Sequence, residues 1–187
     1  MMKKALSNRK SVETAKGTDG ISTFSLLFKF LILLIAIILV ISVIPIKVLL
    51  ASDMITGEYL KAWRIGSDNR FTIKYIHSVE RTPVWETYSM ESGEIILEET
   101  IFQSFGAGLP ATSPYDFEVV DDGFRLFNID LKMTNLIYRT GAVRANHELI
   151  INKKIYPFLE FSKPTEGVKF QAENISIISY LVREGLK

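Results

Sequence analysis

Residues 71–78 read Phe-Thr-Ile-Lys-Tyr-Ile-His-Ser, "FTIKYIHS". Successive side chains of a β-strand point to opposite faces, so Phe71, Ile73, Tyr75 and His77 share one face, with Thr72, Lys74, Ile76 and Ser78 on the other. No three- and four-residue helical repeat competes with that alternation. The same texture continues downstream. "VWETYSM" (84–90) is a second strand, the turn "ESGE" (91–94) follows, and "EIILEETIFQSF" (94–105) is a longer third strand ending at "GAGLP". Further candidates are "DFEVV", "FRLFNI", "LIYRT", "HELIINKKIY", "FLEF" and "VKFQAENISII". Asp121-Asp122-Gly123, Thr140-Gly141, Pro157, Lys163-Pro164 and Glu166-Gly167 punctuate them. Short strands at such regular spacing, with no convincing helices between them, predict a mainly β domain, either an all-β sandwich or a small barrel. Helix competes in two places only, 52–65 and 176–186, and the first of these reads equally well as a strand after Gly57.

Upstream the pattern changes completely. Residues 24–46 read "FSLLFKFLILLIAIILVISVIPI", interrupted only by Lys29, two serines and Pro45. That length matches the roughly 20 residues a helix needs to cross a bilayer. A core helix would carry a polar stripe, and Phe30 to Ile44 has none. The stretch predicts a single transmembrane helix. Its apolar run exceeds a typical signal core, and Leu49 stands where a cleavage site before Ser52 would want a small residue, so an uncleaved signal-anchor is favoured over a cleaved signal peptide. Lys3, Lys4, Arg9, Lys10 and Lys16 precede the helix, against Glu13 and Asp19. By the positive-inside rule the tail is cytoplasmic and the later residues lie outside the cell membrane. The expected organisation is a basic tail (1–23), the helix (24–46), a linker (47–58) and an extracytoplasmic β-domain (59–187).

Residues 51–187 hold 15 Lys and Arg against 19 Asp and Glu, a formal −4, while the first fifty carry +5. A mildly acidic outer domain argues against a nucleic-acid partner. With no cysteine, a lipoprotein anchor, a disulfide framework and a thiolate metal site are all excluded.

Groups able to do chemistry concentrate in His77–Glu86, "HSVERTPVWE". His77 ends a strand on the presumed core side, at its rim. A 71–78/84–90 hairpin would bring it towards Glu86, and such a pair could hold an anion or exchange a proton. Glu80 and Arg81 occupy the loop tip, where solvent claims them unless Arg81 grips a carboxylate or phosphate in bidentate fashion. Pro83 stiffens the loop. A zinc-like site from His77, Glu86 and Glu99, with Glu80 as a further donor, is the metal alternative, although no HExxH pair supports it. In "SFGAGLP", Ser104 leads into Gly106 and Gly108, whose backbone can form either an anion-binding nest or a plain structural turn fixed by Pro110. It lacks phosphate-loop spacing. A GxSxG elbow is absent, Ser78 faces away from its neighbour His77, and no cofactor is expected. Trp63 and Trp85 read as core or membrane-proximal packing.

Together, "YIHSVERTPVWETY" and "SFGAGLP" resemble the bacterial family called domain of unknown function 1850, small proteins with an N-terminal hydrophobic segment and a β-rich body. The resemblance extends over most of residues 55–185. Such proteins are often encoded beside TRAP transporters of the TAXI type, so it implies an association with solute uptake. It supplies neither an activity nor catalytic residues. The leading expectation is a non-enzymatic accessory that binds a small solute or a transporter subunit where the His77–Glu86 loop meets the Ser104–Pro110 turn. The alternatives are an extracytoplasmic metal-dependent hydrolase using His77 with Glu80, Glu86 or Glu99, and a purely structural envelope module.

Overall fold

The computed structural model of the chain describes residues 19–104, 113–121, 123–141 and 144–185. They form two separate units, a helix and a β-sandwich. Helix α1, Asp19–Val43, contains a stretch, Ser25–Val43, with mean hydropathy 3.1 and none of it buried, long and apolar enough to cross a membrane. It ends before Ile44. The residue preceding a proline is pushed out of helical geometry, and Pro45 follows at once.

Eleven strands form the second unit among the described residues: β1 (Pro45–Asp53), β2 (Tyr59–Arg64), β3 (Arg70–Ile76), β4 (Pro83–Glu91), β5 (Glu94–Phe102), β6 (Asp116–Val120), β7 (Gly123–Met133), β8 (Leu136–Arg139), β9 (Glu148–Ile151), β10 (Lys154–Pro157) and β11 (Gly167–Ser176). A short helix, α2 (Ile177–Gly185), ends the described chain. One sheet has the order β2-β1-β11-β8 and the other β10-β9-β3-β4-β5-β7-β6. Every pairing is antiparallel. The fold is therefore a two-sheet sandwich, the first of the two architectures expected.

Alternation builds the inner faces. Phe71 and Ile73 of β3, Tyr88 and Met90 of β4, and Ile95 of β5 meet Leu49, Ala51, Trp63, Leu136, Val168 and Phe170 of the smaller sheet. Each fully buried side chain of that size contributes about 1.5–3 kcal/mol. A second cluster, Val84, Phe102, Leu126 and Ile129, lies under the β5-β7 end of the larger sheet, and Tyr75 and Leu97 pack against both clusters.

Local chemistry sets the turns. Asn152 and Lys153 both adopt left-handed backbone (φ 50 and 66) in the two-residue connection of β9 to β10, the geometry that matches strand twist in a tight hairpin. Gly123 opens β7 at φ 153, where a Cβ would sit 2.3 Å from the Phe102 carbonyl oxygen. "FLEF" is not a strand. Phe158–Glu160 is a 3-10 turn held by the Phe158 carbonyl, with Phe158 inserted in the core.

The largest departure from expectation lies at 47–58. In place of the expected linker, strand β1 occupies Pro45–Asp53, pairs on both edges, and buries Val48 through Ser52 in succession. Leu49 and Ala51 face the core. Helix α2 packs on the flanking strands β2 and β11, where Glu184 Oε1 accepts hydrogen bonds from the Tyr59 hydroxyl and the Ala62 N–H. A strand buried on both faces loses the alternation by which strands are recognised, so the run offers no strand signal.

A chain shortened to begin at Ile44 is expected to unfold cooperatively in urea. One beginning at residue 59 lacks β1 and is expected to show no cooperative transition, because the inner edges of β2 and β11 are then unpaired. Circular dichroism of the two chains checks this.

Candidate functional site

Register decides where the reactive groups go. Strand β4 pairs with β3 so that Val84 faces Tyr75 and Glu86 faces Ile73. Directly opposed residues share a face, and Ile73 is fully buried, so the Glu86 carboxylate enters the sandwich interior. A carboxylate there requires partners, and it has three. The Tyr75 hydroxyl donates to Oε1 at 3.3 Å, the Tyr88 hydroxyl donates to Oε2 at 3.1 Å, and the Tyr138 hydroxyl also donates to Oε2. The Tyr88 and Tyr138 hydroxyl oxygens also lie 2.7 Å apart, so either can donate to the other in place of Glu86. Tyr75 and Tyr88 belong to the larger sheet, whereas Tyr138 belongs to β8 of the smaller one, so this network stitches the two layers together.

Burial, reinforced by the adjacent Glu86 charge, pushes all three phenols well above the usual tyrosine value. They remain protonated donors at any physiological pH. His147 caps the cluster from the segment leading into β9. Its ring stacks on Tyr75 (5.4 Å, 25°), meets Tyr138 edge-on (5.7 Å), and lies 5.2 Å from Phe158. Nδ1 accepts the Gly141 N–H at 3.3 Å, which assigns the proton of the neutral ring to Nε2. Burial lowers the His147 pKa below its ordinary 6.5.

His77 does not join this cluster. Its N–H donates to the Thr82 carbonyl, its own carbonyl accepts from Arg81, and its Nδ1 accepts the Glu80 N–H at 3.3 Å. The loop is thus closed on itself, with Arg81 left-handed at φ 57. His77 lies beyond the last β3–β4 pair, Ile76–Pro83, and Glu86 lies three residues inside the ladder. At about 3.3 Å per residue the two backbones are roughly 13 Å apart along the strands. The expected His77–Glu86 approach therefore fails, because the strand pairing extends past Glu86 to Pro83.

Glu99 is elsewhere again. It sits opposite Thr87 on the outer face, where Arg125 Nε donates to its Oε2 at 2.7 Å. Glu86 inside and Glu99 outside cannot share a metal ion with His77. No group of three metal-binding side chains occurs among the described residues. One proposed meeting does occur: the Ser104 hydroxyl donates to Glu80 Oε2 at 2.8 Å, joining the hairpin loop to the segment that follows β5. Gly106 and Gly108 lie outside the described residues.

Residues 71–158 match the family model for Domain of unknown function (DUF1850). The resemblance read from the two motifs thus holds over a shorter span than 55–185. The matched span runs from β3 to Phe158 and contains every member of the Glu86–tyrosine–His147 network. No curated protein and no solved structure matches the chain.

Sequence reasoning missed Tyr88, Tyr138 and His147 as a unit. Alternation in "VWETYSM" already places Glu86 and Tyr88 on one face, and that signal was available. Tyr138 and His147 come from distant segments, and no local pattern announces them.

Glu86→Ala removes the shared acceptor of three largely buried hydroxyls and is expected to cost about 2–5 kcal/mol in urea unfolding, with Glu86→Gln costing less. His147 generates a pH signature. The unfolded chain takes up its proton near 6.5, whereas the folded chain resists protonation until lower pH. The stability it contributes is therefore complete above about 6.5 and falls as pH drops towards the lower folded value. His147→Phe is expected to flatten that part of the stability–pH curve, measured by thermal unfolding across the range.

Proposed function

We propose that the chain is a membrane-anchored, non-enzymatic accessory of solute uptake, whose β-sandwich outside the membrane binds a small organic solute or a subunit of a TRAP-type transporter. Support for anchoring comes from the apolar Ser25–Val43 helix, and the charge of residues 1–23 supports an inside N-terminus. The transport setting follows from the family resemblance.

The Glu80–Ser104 hydrogen bond carries the reading. It fastens the tip of the β3–β4 loop to the segment leading to Gly106 and Gly108. This makes a single rim from two stretches that would otherwise move separately. A loop closed by its own backbone loses little conformational freedom on binding, which favours recognition. Val79, 63 % exposed at the tip, and Arg81 beside it offer an apolar contact and a bidentate donor for a carboxylate. The groups an enzyme would need are engaged in structure: Glu86 by tyrosines, Glu99 by Arg125, and His77 within its own turn.

A photo-crosslinking side chain placed at Val79 of the full chain, co-expressed with a TRAP-type transporter, is expected to capture a transporter subunit. Glu80→Ala with Arg81→Ala is expected to lower that yield about tenfold, the effect of losing one charged contact. Equal capture from a crosslinker at Ile155, or none at Val79, overturns the transporter arm. A thermal shift with small organic carboxylates that survives the same double substitution overturns the solute arm.

A further inference from the structure

A cleft of about 670 Å³ opens in the β-sandwich between the start of β1, the end of β2 and the β9–β10 hairpin. It is separate from the tyrosine–glutamate network. Its walls carry Lys47, Arg64 and Lys154, and among the described residues no carboxylate lines it. With no carboxylate in the lining to balance them, the three exposed cations give the cleft a positive field that favours an anion. Lys47 Nζ is steered by Asn69, whose Oδ1 accepts from it at 3.2 Å. The aromatic wall is Trp63 and Tyr156, in edge contact at 5.7 Å. Lys61, outside the cleft lining, lies over both rings at 6.0 and 5.8 Å. The Trp63 indole N–H is buried without a hydrogen-bond partner.

We propose that this cleft binds a phosphate-bearing anion, with the headgroup of an acidic phospholipid as its source. Arg64 supplies a planar fork suited to phosphate oxygens, and the two lysines supply movable point charges. The volume falls in the range of small-molecule sites. Half-buried Tyr156 and Tyr180 mixed with Lys and Arg give the lining the composition of protein surface at the headgroup level. Lipid is the favoured source because Pro45, the first cleft residue, follows the last residue of α1 by two positions in the chain. That preference rests on the anchoring proposed above, whereas the phosphate chemistry does not.

The test uses the full chain in mild detergent. Native mass spectrometry compares retention of phosphatidylglycerol with phosphatidylcholine. Tryptophan fluorescence follows titration with glycerol 1-phosphate and with inorganic phosphate. The expected result is at least a tenfold preference for phosphatidylglycerol. That preference should be lost in the Lys47→Gln, Arg64→Gln, Lys154→Gln variant, with an unchanged unfolding midpoint, and reduced about tenfold in Arg64→Gln alone. Saturable binding of glycerol 1-phosphate without lipid preference, sensitive to the same substitutions, keeps the phosphate site and overturns the lipid source. Equal retention of both lipids with no response to either phosphate overturns the site. Undiminished phosphatidylglycerol binding in the single and triple variants also overturns it, and locates that binding elsewhere, for example in the basic tail. Alkaline extraction of membranes reads anchoring separately, so the two readings fail independently.

Discussion

Everything in the sandwich depends on the pairing of its first strand with its last. Strand β1 runs antiparallel to β11 from Pro45–Ser176 to Asp53–Val168 without a break in register. That ladder is the centre of the smaller sheet. It positions Leu49 and Ala51 beside Val168 and Phe170 as the floor of the main core. It is also the least local contact in the domain, joining residues more than a hundred positions apart, so its closure entropy must be met before its burial is gained. The larger sheet is built mostly from hairpins between neighbours in the chain. The hairpin sheet is therefore expected to form first and β1 with β11 to close the layer, a hypothesis that kinetic analysis of core substitutions in each strand would decide.

The same closure explains why a charge can sit between the layers. Tyr138 reaches Glu86 only because β8 is hydrogen-bonded to β11, through pairs from Gly167–Arg139 to Phe170–Leu136. A carboxylate inside an apolar layer is costly alone and tolerable when three donors surround it. The network thus selects one strand register in each sheet, since slipping β3, β4 or β8 by a residue would turn a phenol or the carboxylate to the wrong face.

The larger sheet was legible wherever one face meets the core and the other meets solvent. Phe71, Ile73 and Tyr75 alternate with Thr72 and Lys74, and β3 lies where that alternation puts it. Legibility failed where physics removes the period. Strand β1, buried on both faces, shows no alternation and reads as a linker after the apolar helix. Phe158–Glu160 carries strand-like residues but follows Pro157, and its single turn is fixed by tertiary burial of Phe158 rather than by propensity. At the site, His77 and Glu86 were legible as reactive groups and as neighbours in sequence. Their separation was not, because it depends on how far the hairpin ladder extends towards the loop.

The two polar regions differ in origin, and that difference bears on what each is for. The Glu86 network lies wholly within residues 71–158, the span matched by the family model. Each of its groups satisfies another, so it has little capacity left for a ligand and its work is alignment of the sheets. Two of the three cleft cations, Lys47 and Arg64, lie before that span, on the strands that close the fold. Their charges have no carboxylate beside them in the cleft. Unspent interaction capacity, rather than density of reactive groups, is what distinguishes a binding surface from a structural one. By that criterion the recognition proposed above belongs to the cleft and the loop rim, and the cluster richest in titratable side chains is the part that holds the sandwich in register.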